Sequence, residues 1–220
     1  MTITPSWTPE KFLVPKDKVT KKLVQEFYDW ACFNKVKADP SMELLNKYIK
    51  PETKVLNLGC GSGAESVYFA ERGCFVVGVD ISPKVIKLAK EQTKLSFIVG
   101  DMVTINFKQK FNIVLIHDSL EHVFPCEQKT TLLNAINHLE KDGVIFVKSP
   151  TPEYIKKVSN DKILEGHYVN PIIYQVLDEV VSPEMVRQTM KENGLEIVHD
   201  GFKDYINNIP KLFIIIGRKV

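Results

Sequence analysis

At 220 residues, with 44% apolar and 25% charged side chains, the chain has the composition of a globular protein that can bury one substantial core. Lys and Arg total 29 against 27 for Asp and Glu, a balance without the basic excess of a phosphate-tracking nucleic-acid binder. The longest apolar run falls far short of the roughly 20 residues that span a bilayer, and the N-terminus shows no basic stretch leading into an apolar one, so neither a membrane span nor a secretory signal is expected.

Residues 1–50 read as an N-terminal helical cap, with an amphipathic stretch from Lys18 to Phe33 that carries Phe27, Tyr28, Trp30 and Phe33. The lysines at Lys16 to Lys22 and Lys84 to Lys94 read as solvated helix faces. Residues 51–220 read as one domain in which strands and helices alternate. Strands are expected at Val55–Leu58, Phe75–Val79, Leu95–Val99, Phe111–Ile116, Val144–Lys148, Leu195–Asp200 and Leu212–Arg218, the inner ones apolar throughout, as in a sheet covered on both faces. Helices are expected at Ala64–Glu71, Pro83–Gln92, Glu127–Leu139 and Pro183–Asn193. Ser82-Pro83 and Ser182-Pro183 each place a capping hydroxyl before a proline at the first helical position. Gly73, Gly143 and Gly194 stand just past helix ends, where a left-handed residue is wanted. This is the progression of a doubly wound, mostly parallel sheet. Residues 150–181 interrupt it with a connection long enough to be a lid or binding loop.

The densest chemistry lies in KVLNLGCGSG, Lys54 to Gly63, an apolar run that breaks into a glycine turn. Gly59, Gly61 and Gly63 let backbone approach a ligand, and Asp80, which closes CFVVGVD, stands where a ribose would present its hydroxyls. Gly59-x-Gly61-x-x-Ala64 followed by Asp80 also satisfies the dinucleotide fingerprint, so a NAD-linked oxidoreductase is a competing reading. The four cysteines (Cys32, Cys60, Cys74 and Cys126) have no CxxC spacing, which fits free thiols in a reducing, cytoplasmic setting. No metal is expected.

Four segments in register over residues 53–149 resemble the class I S-adenosylmethionine-dependent methyltransferases. The resemblance implies a Rossmann-like α/β fold, a seven-stranded sheet whose last strand is antiparallel, and S-adenosylmethionine as cofactor. VLNLGCGSG is similar to the first motif, which implies that Gly59, Cys60, Gly61 and Gly63 cradle the methionine part. VVGVDIS is similar to the second, which implies Asp80 on the ribose hydroxyls and Ile81 against the adenine. FIVGDM is similar to the third, with Asp101 accepting from the adenine amino group and Met102 beside the ring. FNIVLIHDSLEHV is similar to the fourth, which implies His117 and Asp118 near the sulfonium. One position departs from the pattern: the family commonly has Asp or Glu at Asn57, where it helps organise the cofactor's ammonium end. An amide accepts a hydrogen bond there but brings no charge.

Methyl transfer from a sulfonium is an in-line displacement, in which the protein aligns the reactants and excludes water. A base is needed only when the acceptor must lose a proton on the way. His122, in a segment similar to the LEH of small-molecule methyltransferases, is the candidate base, with His117 the second catalytic candidate. Tyr28 and Trp30 on the cap, and His167 and Tyr168 in the long connection, are candidates for the acceptor side. SPTPEYIKK and VLDEVVSPEMV resemble stretches in small-molecule methyltransferases. HDSL stands where base-amine methyltransferases carry an NPPY-like tetrad. The two stretches favour a small metabolite over nucleic acid or protein, and the missing tetrad is a further point against nucleic acid. The oligomeric state stays open between monomer and homodimer. A member that binds S-adenosylmethionine without methylating is the alternative within the same fold.

Overall fold

The computed structural model describes residues 18–31, 37–155, 181–206 and 208–220. Its strands are β1 (Lys54–Leu58), β2 (Phe75–Asp80), β3 (Ser96–Val99), β4 (Phe111–His117), β5 (Leu139–Pro150), β6 (Leu195–Ile206) and β7 (Ile209–Lys219), in one seven-stranded sheet of order β3-β2-β1-β4-β5-β7-β6. The pairs from β3 to β5 are parallel, and β7 runs antiparallel to both its neighbours. The expected α/β sheet with a reversed last strand is the one observed.

Helices α1 (Lys21–Ala31), α2 (Ala64–Ala70), α3 (Pro83–Gln92), α4 (Pro125–Asn137) and α5 (Pro183–Glu192) are joined by 3-10 turns at Pro40–Tyr48 and Leu120–His122. Strand alternation divides the core. Leu56, Val114, Ile145 and Ile215 face Leu132, Ile136, Val186 and Met190 of α4 and α5. Val55, Ile113, Phe146 and Ile214 face Met42, Leu45 and Phe69 on the other side. Both faces are dry, which is why the inner strands read as unbroken apolar runs.

The expected caps form: the Ser82 and Ser182 hydroxyls accept from the N–H groups of Val85 at 3.1 Å and Met185 at 3.3 Å. Two expectations need correction around residue 140. The helix ends at Asn137, and Leu139 already pairs with Phe111 as the first residue of β5. The left-handed residue is Asp142, with φ of 62°, and not Gly143. Gly143 answers to crowding: a Cβ there would lie 3.0 Å from the Glu140 carbonyl. Strand β6 also runs on past Asp200, because β7 offers it partners as far as the Ile206–Ile209 pair. Of the expected lid, residues 150–155 and 181 lie among the described residues, and residues 152–155 are helical. Among the described residues no helix is long and apolar enough to cross a membrane.

Strands β1 and β4 sit side by side, yet the chain leaves β1 toward β2 and leaves β4 toward β5. Their carboxyl ends therefore part, opening a crevice where the strand order reverses.

Candidate active site

The crevice begins at the glycine turn. Gly59 and Gly63 have φ of 73° and 92°, and a Cβ on them would come within 2.4 Å of Ser119 Cβ and 2.7 Å of Phe97 Cζ. Glycine is thus required there for both conformation and space. The N–H groups of Gly59 and Cys60 donate to the Val79 carbonyl at 2.8 and 2.9 Å, stitching the turn to the end of β2. One residue on, the Asp80 carboxylate accepts from the N–H groups of Gly61 and Ser82, both at 3.0 Å. Burial raises its pKa, while those backbone donors work to lower it.

A cavity of about 300 Å³ opens from this turn. Asp80 and Ile81 bound it after β2, Asp101 and Met102 after β3, and His117, Asp118 and Ser119 at the end of β4. Helix α1 contributes Lys21, Val24 and Tyr28. Polar ties hold that helix in place. Lys21 Nζ bridges Asp101 at 2.7 Å and Glu127 at 2.8 Å. Asp29 accepts from the Ser82 hydroxyl at 2.5 Å and the Lys84 N–H at 3.2 Å. Burial opposes the Lys21 charge, yet the hydrogen bonds it donates to the two carboxylates leave its pKa raised.

At the β4 end the groups are tightly interlocked. Lys148, buried on β5, places Nζ 2.8 Å from Asp39 Oδ2, 2.9 Å from Asp118 Oδ2 and 3.3 Å from His117 Nε2. An ammonium only donates, so His117 Nε2 accepts and Nδ1 carries the ring proton. That nitrogen faces Glu65 Oε1 at 3.7 Å. Asp39, His117 and Asp118 bring ligand-type atoms within 4.8 Å of one another. The positive charge such a trio would draw from a metal is already supplied by Lys148.

Behind Asp118, Glu121 accepts from the Ser149 hydroxyl at 3.1 Å. Burial, aided by the Asp118 charge, pushes the Glu121 carboxyl up to about 8. His122 goes the other way: burial pushes it down to about 4, against the pull of Asp118. Its ring meets Tyr28 edge-on at 5.3 Å. Asp118 Oδ1, His122 Nδ1 and Glu127 Oε2 are buried without a hydrogen-bond partner among the described residues. All three residues line the one cavity, which is how a wall built for an occupant with donors looks.

Eleven residues singled out from the sequence line this cavity: Tyr28, Gly59, Cys60, Gly61, Asp80, Ile81, Asp101, Met102, His117, Asp118 and His122. Three others do not. Gly63 supports the turn from behind, Asn57 donates to Ser66 Oγ at 3.1 Å between β1 and α2, and Trp30 packs on Phe27 with ring centroids 5.7 Å apart. His167 and Tyr168 lie outside the described residues. Lys21, Glu65, Ser119 and Glu127, none of them marked as site residues by the motifs, also line the cavity. Lys21 in particular is drawn into an ion-pair bridge instead of standing on a solvated face.

Comparison with known proteins gives a consistent picture. A family model of the methyltransferase domain matches residues 49–201. Over 111 residues the chain is 38% identical to the eEF1A lysine and N-terminal methyltransferase of Mus musculus, covering 47% of this chain and 16% of that protein. Over 108 residues it is 32% identical to the magnesium-protoporphyrin O-methyltransferase of Rhodobacter capsulatus, covering 46% of this chain and 47% of that one. The chain thus spans less than half the length of these two relatives. Among solved structures, the magnesium protoporphyrin IX methyltransferase of Synechocystis PCC 6803, with bound S-adenosylhomocysteine, has a TM-score of 0.67 at 16% identity. That match covers 91% of this chain and 99% of the other, a likeness of fold.

Proposed function

Because this chain belongs to the class I S-adenosylmethionine-dependent methyltransferases, we propose that it transfers a methyl group from S-adenosylmethionine to a small-molecule acceptor by in-line displacement. The observation that carries this reading is the cavity between the glycine turn and α1, whose wall holds three buried polar atoms without partners among the described residues.

The residues present fit the cofactor. Asp80 would take the ribose hydroxyls, Ile81 and Met102 the adenine faces, and Asp101 with Glu127 the adenine amino group. Gly59 and Gly61 put no side chain in the way of the methionine part. When bound, the cofactor supplies a methyl group on a positively charged sulfur. The protein's own contribution is alignment and exclusion of water, for which α1, tied at Lys21 and Asp29, forms the roof.

Acceptor chemistry falls to the β4 end. Asp118, held through Oδ2 by Lys148, keeps Oδ1 for a donor on the acceptor. His122 is neutral above about pH 4 and has Nδ1 to spare, so it can hold a proton leaving an acceptor hydroxyl or amine. His117 is engaged by Lys148 and is the weaker candidate for that task. The Tyr28–His122 contact narrows the approach under α1, which favours a small acceptor.

A protein acceptor is the second reading, favoured by the likeness to a methyltransferase of eEF1A lysine and N-terminus. The deciding experiment is release of S-adenosylhomocysteine against two panels, one of small hydroxyl, amine and carboxyl metabolites and one of peptides. Turnover with a metabolite supports the proposal. Turnover confined to peptides replaces it with the second reading.

A further inference from the structure

Helix α1 lies across the cavity with an apolar cluster of its own. Phe27, fully buried, packs with Val19, Leu23, Val24, Tyr28 and Trp30 in a group distinct from those on the two faces of the sheet. The side of the helix that carries Lys21, Val24 and Tyr28 lines the cavity. What joins this side to the opposite walls is an ion bridge. Lys21 Nζ stands 2.7 Å from Asp101 Oδ2 and 2.8 Å from Glu127 Oε1, so it links the segment after β3 to α4. The three side chains are 40%, 25% and 28% exposed, which leaves the bridge open to water and salt.

Another tie lies about 12 Å further along the helix axis, where Asp29 accepts from the Ser82 hydroxyl and the Lys84 N–H. Each tie ends on the ligand wall itself. Asp101 Oδ1 accepts from the Val103 N–H at 2.9 Å, and its other oxygen is the one that Lys21 holds. Ser82 donates its N–H to Asp80 Oδ1 at 3.0 Å. Partly exposed ion pairs are individually weak and are screened by salt. Such a bridge can keep a helix docked and still release it on the microsecond-to-millisecond scale of lid motions.

We propose that α1 is a gate over the cofactor cavity, latched by Lys21 across Asp101 and Glu127 and by Asp29 on Ser82, and that it opens for each entry and exit of the nucleoside ligand. The inference rests on the assignment of S-adenosylmethionine to this cavity. Closed, the gate keeps water from the reacting centre. Open, it lets S-adenosylhomocysteine leave and fresh cofactor enter. A latch of this kind slows arrival and departure together, so Lys21 governs exchange rates more than affinity.

The test is surface plasmon resonance with the whole protein immobilised and S-adenosylhomocysteine as the probe, which gives kon and koff separately. Lys21→Met keeps the apolar stem and removes the charge, at a side chain exposed enough for the fold to persist. Asp29→Ala removes the other latch. Each variant is expected to raise kon and koff alike by about 3- to 10-fold, the scale of a partly exposed ion pair, with Kd within about twofold of wild type. Raising salt from roughly 0.05 M to roughly 0.5 M should speed both rates in wild type and much less in Lys21→Met. A rise in koff alone in Lys21→Met would make Lys21 a ligand contact. A rise in kon alone would make it a competitor for Asp101. Either result, or rates that do not move in either variant, would overturn the gate and leave the cofactor assignment standing. Failure of wild type to bind S-adenosylhomocysteine would remove the cofactor assignment and the gate together.

Discussion

Lys148 Nζ stands 2.9 Å from Asp118 Oδ2 and 2.8 Å from Asp39 Oδ2, joining the end of β4 to the segment that leads into the first 3-10 turn. Asp118 is held at φ of 47°, and the lysine anchors it there. The Lys148 side chain is 3% exposed, and removing it leaves Asp118 without its cation and Asp39 with Lys203, 3.1 Å from Oδ1, as its remaining one among the described residues. Lys148→Met is expected to cost about 3 kcal/mol, at the low end for a broken buried pair because Asp118 is partly solvated. In a chain of this size that lowers Tm by roughly 6–12 °C. A shift below about 2 °C in a thermal melt would contradict this arrangement.

The same cluster sets an acid limit. Burial alone would raise the Asp39 pKa, but hydrogen bonds from the Lys148 ammonium and the Ser41 N–H hold it well below the ordinary carboxylate range. A depressed pKa contributes stability that is present above the unfolded-state value, near 4, and is lost as pH falls below it. Stability should therefore fall from about pH 4 downward in wild type and more shallowly in Lys148→Met. Urea midpoints between pH 3 and 6 measure this. Parallel profiles for the two proteins would rule the lysine out as the cause.

Glu121 works in the opposite sense. Its folded pKa, near 8, lies above the unfolded value of about 4.5. That contribution is fully present below pH 4.5 and is lost as pH rises toward 8. Glu121→Gln should melt higher than wild type at pH 8, and the gain should shrink at pH 5. A difference that does not vary with pH would mean that Glu121 is ionised throughout.

His122→Gln tests the assigned base. Loss of general-base catalysis lowers kcat by roughly 10²- to 10⁴-fold, while affinity for S-adenosylhomocysteine should stay within about threefold. In wild type, kcat/KM should rise through about pH 4 as His122 becomes neutral. An unchanged kcat in the variant would show that the acceptor sheds its proton without this ring.

Much of this was legible along the chain. The helix starts at Ser82 and Ser182 follow from a hydroxyl and a proline, both local signals, and the sheet follows from apolar runs. The boundary at Leu139 was not legible, because that residue is apolar in helix and strand alike and its pairing with Phe111 is a long-range choice. Lys21 looked like one of several surface lysines; only folding brings Asp101 and Glu127, 80 and 106 positions away in the chain, to meet it. Glu65 carried a readable signal, a charge on the second residue of a helix that begins behind a glycine turn. Asn57 shows the converse: its place in the motif was visible, but its commitment to Ser66 depended on how α2 packs.

The central claim is that the glycine turn and Asp80 hold S-adenosylmethionine. Titration calorimetry of S-adenosylmethionine, S-adenosylhomocysteine and NADH against wild type and Asp80→Ala tests it most directly. The account predicts micromolar binding of the two sulfur ligands, no binding of NADH, and loss of the sulfur ligands in Asp80→Ala. Binding of NADH alone, or an Asp80→Ala protein that binds S-adenosylmethionine as tightly as wild type, would contradict it.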